Sequence, residues 1–322
     1  MKLLKLVPDA TNIQFLKWRN LAMFLSIGLI LASIALVAVR GLNLGVDFVG
    51  GQMVRVSFAQ PVPLDELRDT VSALNQGEPS IQQFGSPKDV SIRMPLPPGG
   101  EGAANEAAGK LKAAITARYP AAKFGSIDTV SGKVSGELFR TGAISMALAM
   151  VAISIYIWFR FEWQFGMGAM FALVHDVALT FGFFALTQLE FDLNSVAAVL
   201  TIIGYSLNDT IVVYDRIREN LRKYRKMEII PLLDLSVNET LARTIMTSLT
   251  MIIALACLLV WGPEVIFGFT AAMLLGIFIG TYSSVYMAAP ILVWLKVGPH
   301  SFLPKESGVT QGAERVGPSS NA

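Results

Sequence analysis

Asn208, Asp209 and Thr210 lie in IIGYSLNDTIVVYDRIREN (residues 202–220), a stretch whose first half is apolar enough for hydrocarbon. A charged group at the centre of a bilayer costs about 2.5–3.5 kcal/mol on insertion scales, so such residues need partners and tend to mark ion routes. Asp209 lies six residues before Asp215, where a densely charged run begins. That places it about 9 Å along a helix inside the polar boundary. Its side chain is too short to reach across that distance, as Lys or Arg could. Asn208 beside it offers donors and an acceptor, and Thr210 a hydroxyl. The chemistry implied is reversible protonation of a carboxylate facing a helix bundle.

Arg243 opens the next apolar block, in NETLARTIMTSLTM (238–251). Alone it reads as an ordinary basic flank of a membrane helix. It enters, however, from the side on which Asp209 leaves, so the two groups share one half of the bilayer. A bidentate pair would favour the ionised acid, and desolvation would favour the neutral one. Two opposed effects of similar size leave a protonation state that movement of the neighbour can switch. A third place is ALVHDVALT (172–180), where His175 and Asp176 fall near the middle of an apolar block. Imidazole ordinarily titrates nearest neutral pH, which suits a proton carrier. A satisfied polar pair that pins helix packing is the simpler reading.

The elements that must hold these groups are membrane helices. The chain has 322 residues, 53% of them apolar, mean hydropathy +0.54 and only 16% charged, against about 25% charged in soluble domains. Six apolar blocks are each long enough to span: 20–39, 138–159, 165–187, 191–214, 244–261 and 266–295. The first follows basic residues as a signal peptide does. It is too long for a secretory apolar core and lacks a good cleavage context, so it reads as a retained anchor. GIFIG (276–280) in the last block is a G-x-x-x-G match, suited to close helix approach. A net charge of +2 argues against nucleic acid or another polyanion as partner. The single cysteine, Cys257, can form no internal disulfide. There is no Walker loop, no metal-ligand cluster and no nucleophile beside a base. No cofactor is expected, and any work must come from an ion gradient or from partners.

Basic residues in short flanks set orientation. They fall before the first block (Lys2, Lys5, Lys17, Arg19), at Arg160, and between the fourth and fifth blocks from Arg216 to Lys226. The opposite loops, TQLEFD (187–192) and WGPEVI (261–266), contain none. Both termini are therefore expected in the cytoplasm. Residues 1–19 form a cytoplasmic segment, 215–243 a charged cytoplasmic loop and 296–322 a tail. Past Pro304 the tail is rich in Gly, Ser and polar residues and is expected to be disordered. The one large external segment, 41–136, shows strand alternation in QMVRVSF (52–58) and a helix over 63–75. SIQQFG (80–85) and DVSIRM (89–94) read as strands, 103–118 as an Ala-rich helix and KFGSIDTV (123–130) as a last strand. The order β-α-β-β-α-β predicts a small ferredoxin-like α+β domain. Gly50 and Gly51 in GVDFVGGQ (45–52) permit a sharp turn where the first span enters that domain.

GVDFVGGQ, ALVHDVALT and above all GYSLNDTIVVYDRIREN resemble the SecD/SecF family, on its SecF side. These are protein-export membrane proteins of the bacterial inner membrane, within the resistance-nodulation-division superfamily. The resemblance covers residues 15–298, and Val49 stands where a small hydroxyl residue is often seen. It implies half of a twelve-helix bundle whose other half is SecD. It implies a role in export of the translocating preprotein driven by the proton-motive force, after an ATP-driven cytoplasmic step. The SecYEG channel, YidC and YajC are implied as further partners. Carried over residue by residue, the relay carboxylate is Asp209, the relay arginine of the following span is Arg243, and a relay hydroxyl one turn later is Thr247.

Two other functions fit parts of the pattern. An exporter of small molecules or lipids from the same superfamily would share the carboxylate, but with larger external domains on both halves. A purely structural subunit holding partners together would tolerate neutral replacements at Asp209 and Arg243.

Overall fold

Two hydrophobic periodicities divide the chain: long apolar runs of helical length, and short strands that alternate between core and solvent. The computed structural model describes residues 8, 11–84 and 86–298. The tail predicted past Pro304 lies outside them. After a tight helical turn at Phe15–Trp18 comes α1 (Arg19–Arg40), then the short α2 (Val46–Val49). The external domain follows as β1 (Gly51–Ser57), α3 (Leu64–Ser72), β2 (Ser80–Phe84), β3 (Ser86–Met94), α4 (Gly100–Arg118) and β4 (Lys123–Val130). Then come α5 (Gly132–Arg160), α6 (Trp163–Thr187), α7 (Leu193–Lys223) and α8 (Ile229–Trp261). The last span consists of α9 (Phe267–Ser283), a π-helical turn at Ser284–Ala288 and α10 (Ala289–Trp294).

Six helical stretches of 25 to 33 residues are apolar and long enough to span a bilayer. Since about 20 residues suffice, the longest project beyond it. The charge run predicts a loop over 215–243, but α7 and α8 run on and turn only between Lys223 and Ile229. Lateral pairing explains the difference. Arg216 bonds Glu239 and Glu219 at 2.7 Å each, Arg160 bonds Asp215 at 2.8 Å, and Asn220 reaches Ser236 at 3.0 Å. The Arg216–Glu239 and Asn220–Ser236 bonds join α7 to α8, and Arg160–Asp215 joins α5 to α7. The turn expected at Ser86, Pro87 and Lys88 is likewise absorbed, into the start of β3. Pro87 lies at an irregularity of the β2–β3 pairing and is opposed by no residue of either neighbouring strand, so no ladder bond is lost.

The sheet is antiparallel in the order β2-β3-β1-β4. Leu67 and Val71 of α3, with Leu111 and Ile115 of α4, bury against Val54, Val56, Val90 and Ile92. That is the ferredoxin-like arrangement. In the bundle, Gly276 and Gly280 let α9 approach α7. A Cβ at Gly276 would come within 2.4 Å of Ile202, and one at Gly280 within 3.1 Å of Ser206. Here the G-x-x-x-G pattern does what its spacing suggests.

The domain is tied to the bundle by backbone as well as side chains. Gly45 N donates to Phe191 O at 2.9 Å, Phe191 N donates to Asn43 O at 2.7 Å, and Arg93 Nη1 donates to Leu44 O at 2.6 Å. Asp47 accepts from Leu193 N at 3.1 Å, at the start of α7. Gly50 and Gly51 have φ of +76° and +117°, and a Cβ at Gly51 would meet Met94 O at 2.7 Å. Gly41, also left-handed at φ +70°, has open space around it. Gly51→Ala is therefore expected to cost at least about 2 kcal/mol from strain plus a backbone clash. Gly41→Ala should cost about 1–3 kcal/mol for the conformation, with no clash added. Thermal melting of the purified protein should show the larger loss for Gly51→Ala.

Candidate functional site: a carboxylate held between three helices

Asp209 sits mid-way along α7 with 8% of its surface exposed. Thr244 Oγ1 of α8 donates to its Oδ1 at 2.6 Å, and Ser284 Oγ of the last span donates to its Oδ2 at 2.6 Å. The two donors come from two different helices. The π-helical turn that begins at Ser284 brings its hydroxyl inward, as π turns in α-helices often do at working sites. The backbone carbonyl of Ala288 at the end of that turn is capped by Tyr214 Oη at 3.0 Å. A Cβ at Gly168 would collide with that hydroxyl, at 2.2 Å.

The geometry permits proton uptake without leaving a donor unmet. Ser284 Oγ also lies 3.0 Å from Thr281 O. When Asp209 is ionised, Ser284 donates to it. When Oδ2 carries a proton, that O–H can donate to Ser284 Oγ while the serine proton turns to Thr281 O. One hydroxyl thus serves both states of the acid.

Arg243 is next in sequence to Thr244 and so stands at the depth of Asp209, as expected. It is exposed, and among the described residues it forms no ion pair with Asp209. Thr247 is exposed and donates to the helix carbonyls of Arg243 and Thr244 at 3.0 and 2.9 Å. Asn208 is exposed too, whereas Thr210 is buried. Thr244 and Ser284, the residues that touch the acid, were not singled out from the sequence. The only signal for Thr244 was its place one step from Arg243.

The second polar group is fully buried. His175 Nδ1 lies 2.8 Å from Asp176 Oδ1, and Asp176 Oδ2 accepts from Ser283 Oγ at 2.8 Å and from Ser206 Oγ. Among the described residues there is no cluster of His, Cys, Asp and Glu that could hold a metal.

Comparison with known proteins fixes the family. The family described as protein export membrane protein SecD/SecF, C-terminal, matches residues 110–298, and the SecD/SecF GG motif matches residues 35–62. Protein translocase subunit SecF of Rhodobacter capsulatus is 45% identical over 91% of each chain. The chain belongs to the SecF family. SecF of Cereibacter sphaeroides is 44% identical over 91% of this chain and 93% of that one. The crystal structure of SecDF from Thermus thermophilus, described as a translocon-associated membrane protein, matches with TM-score 0.82 and 31% identity. It covers 90% of this chain and 40% of its own. SecDF in a Super-membrane-facing form matches at 0.62, also at 31% identity, over 89% and 39%. This SecF-family chain therefore spans about 40% of the length of the solved SecDF chains.

The joint between bundle and domain holds one more ionisable group, Glu190. Arg55 of β1 pairs with Asp128 at 2.7 Å and reaches Glu190 at 3.9 Å. Burial pushes the Glu190 carboxyl up to about 7; Arg55 opposes this, while Asp192 and Asp47 add to it. Between about pH 4.5 and 7 the native joint then holds a proton that the unfolded chain has released. Stability should fall as pH rises through that window, by about 3 kcal/mol in all. Melting curves of the wild type across that range should show the slope, and Glu190→Gln should flatten it.

Proposed function

We propose that this chain works as the SecF subunit of the Sec preprotein translocase, paired with SecD and driven by protons that bind Asp209. The observation that carries the reading is a polar face left uncovered at the depth of Asp209. At that depth it shows Arg243 and Thr247 of α8 and Asn208 of α7, and it continues along the span as Thr250 of α8 with Gly204 and Thr201 of α7. A guanidinium facing hydrocarbon would cost several kcal/mol. A second helix bundle lying against the face removes that cost, and it brings Arg243 and a partner's side chains beside the acid. The matching part of solved SecDF is a minority of its chain, which fits a SecD-like bundle as the occupant.

Protonation of Asp209 changes the bonds to Thr244 and Ser284, and so the relation of α7, α8 and the last span. The backbone bonds at Gly45, Phe191 and Asn43 carry the change to the external domain and to an emerging chain bound there. One proton crossing about 100 mV is worth roughly 2.3 kcal/mol, enough to bias a two-state element more than tenfold. The solved SecDF forms match this chain at TM-scores of 0.82 and 0.62 at equal identity, which fits a family that visits more than one arrangement. In this reading the external domain faces the periplasm, both termini face the cytoplasm, and the SecYEG channel, YidC and YajC are partners in the inner membrane.

The test is preprotein export into vesicles reconstituted with SecD, with and without an imposed proton gradient. Asp209→Asn should assemble with SecD and lose the response to the gradient. Thr244→Val should weaken that response, since a hydrogen bond to a charged group is worth about 1.5–3 kcal/mol. A wild-type response in Asp209→Asn would rule the proton reading out. Loss of SecD co-purification instead would favour a structural role.

A further inference from the structure

We infer that His175 and Asp176 form a second proton station in the bundle, accepting at His175 Nε2 and coupled to Asp209 through Ser283 and Ser284. The inference rests on the proton-driven reading above.

Both side chains are 0% exposed. Asp176 is surrounded by donors: His175 Nδ1 on Oδ1, and Ser206 and Ser283 on Oδ2. A carboxylate that accepts three bonds fixes the neutral imidazole as the Nδ1–H tautomer. Its other nitrogen, Nε2, then presents a bare lone pair, and it is buried without any hydrogen-bond partner. Packing alone does not call for this arrangement. The large majority of buried side-chain polar atoms have a hydrogen-bond partner, so a bare one calls for an explanation.

Bare Nε2 with bonded Nδ1–H is the poised state of an imidazole relay. A proton arriving from water binds Nε2, and the Nδ1 proton passes to Asp176 Oδ1. The result is a neutral carboxylic acid donating to Nδ1 of the opposite tautomer. No atom is created or lost, and the pair gains one positive charge. Ser206 and Ser283 bond Oδ2, which remains an acceptor, though a weaker one, when Oδ1 carries the proton. Ser283 Oγ has a second acceptor, Gly280 O, at 3.2 Å, so it can turn away when Asp176 no longer needs it.

The two stations share their supports. Ser283 and Ser284 are consecutive, one on Asp176 and the other on Asp209. Ser206 and Asp209 are one turn apart on α7. A charge change at either acid therefore pulls on the same two helices. The groups that face the pair are Tyr282 of α9, whose ring lies 5.9 Å from the imidazole, and Asp209 of α7 through the serines. From α1, Ser26 reaches the Tyr282 hydroxyl at 3.0 Å. Among the described residues no lysine or arginine pairs with His175 or Asp176.

The chain has two histidines, so His300→Gln leaves His175 as the sole imidazole. With 15N-histidine in this chain only, reconstituted with unlabelled SecD, nitrogen spectra report which ring nitrogen carries the proton. The expected result is Nδ1–H with bare Nε2 at high pH. As the pH is stepped down from about 8 to about 5, a proton should appear at Nε2, and Asp209→Asn should alter that response because the two stations are coupled. His175→Gln and Asp176→Asn, both assembled with SecD, should export at the rate seen with the gradient collapsed. A single unchanging tautomer across that range, or unaltered gradient response in both variants, overturns the inference. The proton-driven reading itself fails on a different result, a wild-type gradient response in Asp209→Asn.

Discussion

A carboxylate inside a membrane helix must be met by donors, and that requirement organises the bundle. Asp209 draws one hydroxyl from α8 and one from the last span, so three helices converge on one side chain. Helix packing in lipid lacks a hydrophobic drive and depends on close approach and polar contacts. Both are present here. Gly276 and Gly280 bring α9 against α7, and the π turn that follows them aims Ser284 at the acid. Tyr214, lodged beside Gly168, then holds the end of that turn. Remove the acid and several of these features lose their reason.

The helix that carries the acid also ties the bundle to the sheet domain. α7 begins at Asp192, whose carboxylate caps Ser195 N at 2.8 Å, and Asp47 holds the preceding amide of Leu193. Asp47 belongs to α2, the short helix that leads through Gly50 and Gly51 into β1. The start of α7 is therefore tied through α2 to the first strand of the sheet domain. Glu190 and Arg55 lie across this junction, 3.9 Å apart.

Much of this was legible in the sequence. Six apolar blocks gave the spans, and the alternation of 52–58, 80–94 and 123–130 with two helical stretches between gave the external domain. Asp209 announced itself by cost alone. Its partners did not. A Ser or Thr in a membrane helix usually bonds the carbonyl one turn back, as Thr201 and Thr247 do, so Thr244 and Ser284 look no different from their neighbours. The π turn has no local signature in SVYMA. Arg243 adjoins Thr244 in the chain, but depth does not fix azimuth, and its side chain is exposed. The continuation of α7 and α8 through 215–243 was hidden for another reason: charge density reads as loop unless the pairing across two helices is known.

Infrared difference spectra of the SecD-reconstituted chain, recorded as the pH is stepped downward, address the Asp209 carboxyl directly. A protonated carboxyl band should grow in acid, be missing in Asp209→Asn, and change frequency in Ser284→Ala, which removes one hydrogen-bond partner. A spectrum in which Asp209→Asn leaves every carboxyl band of the wild type in place would mean that this side chain never exchanges its proton, and the account would not stand.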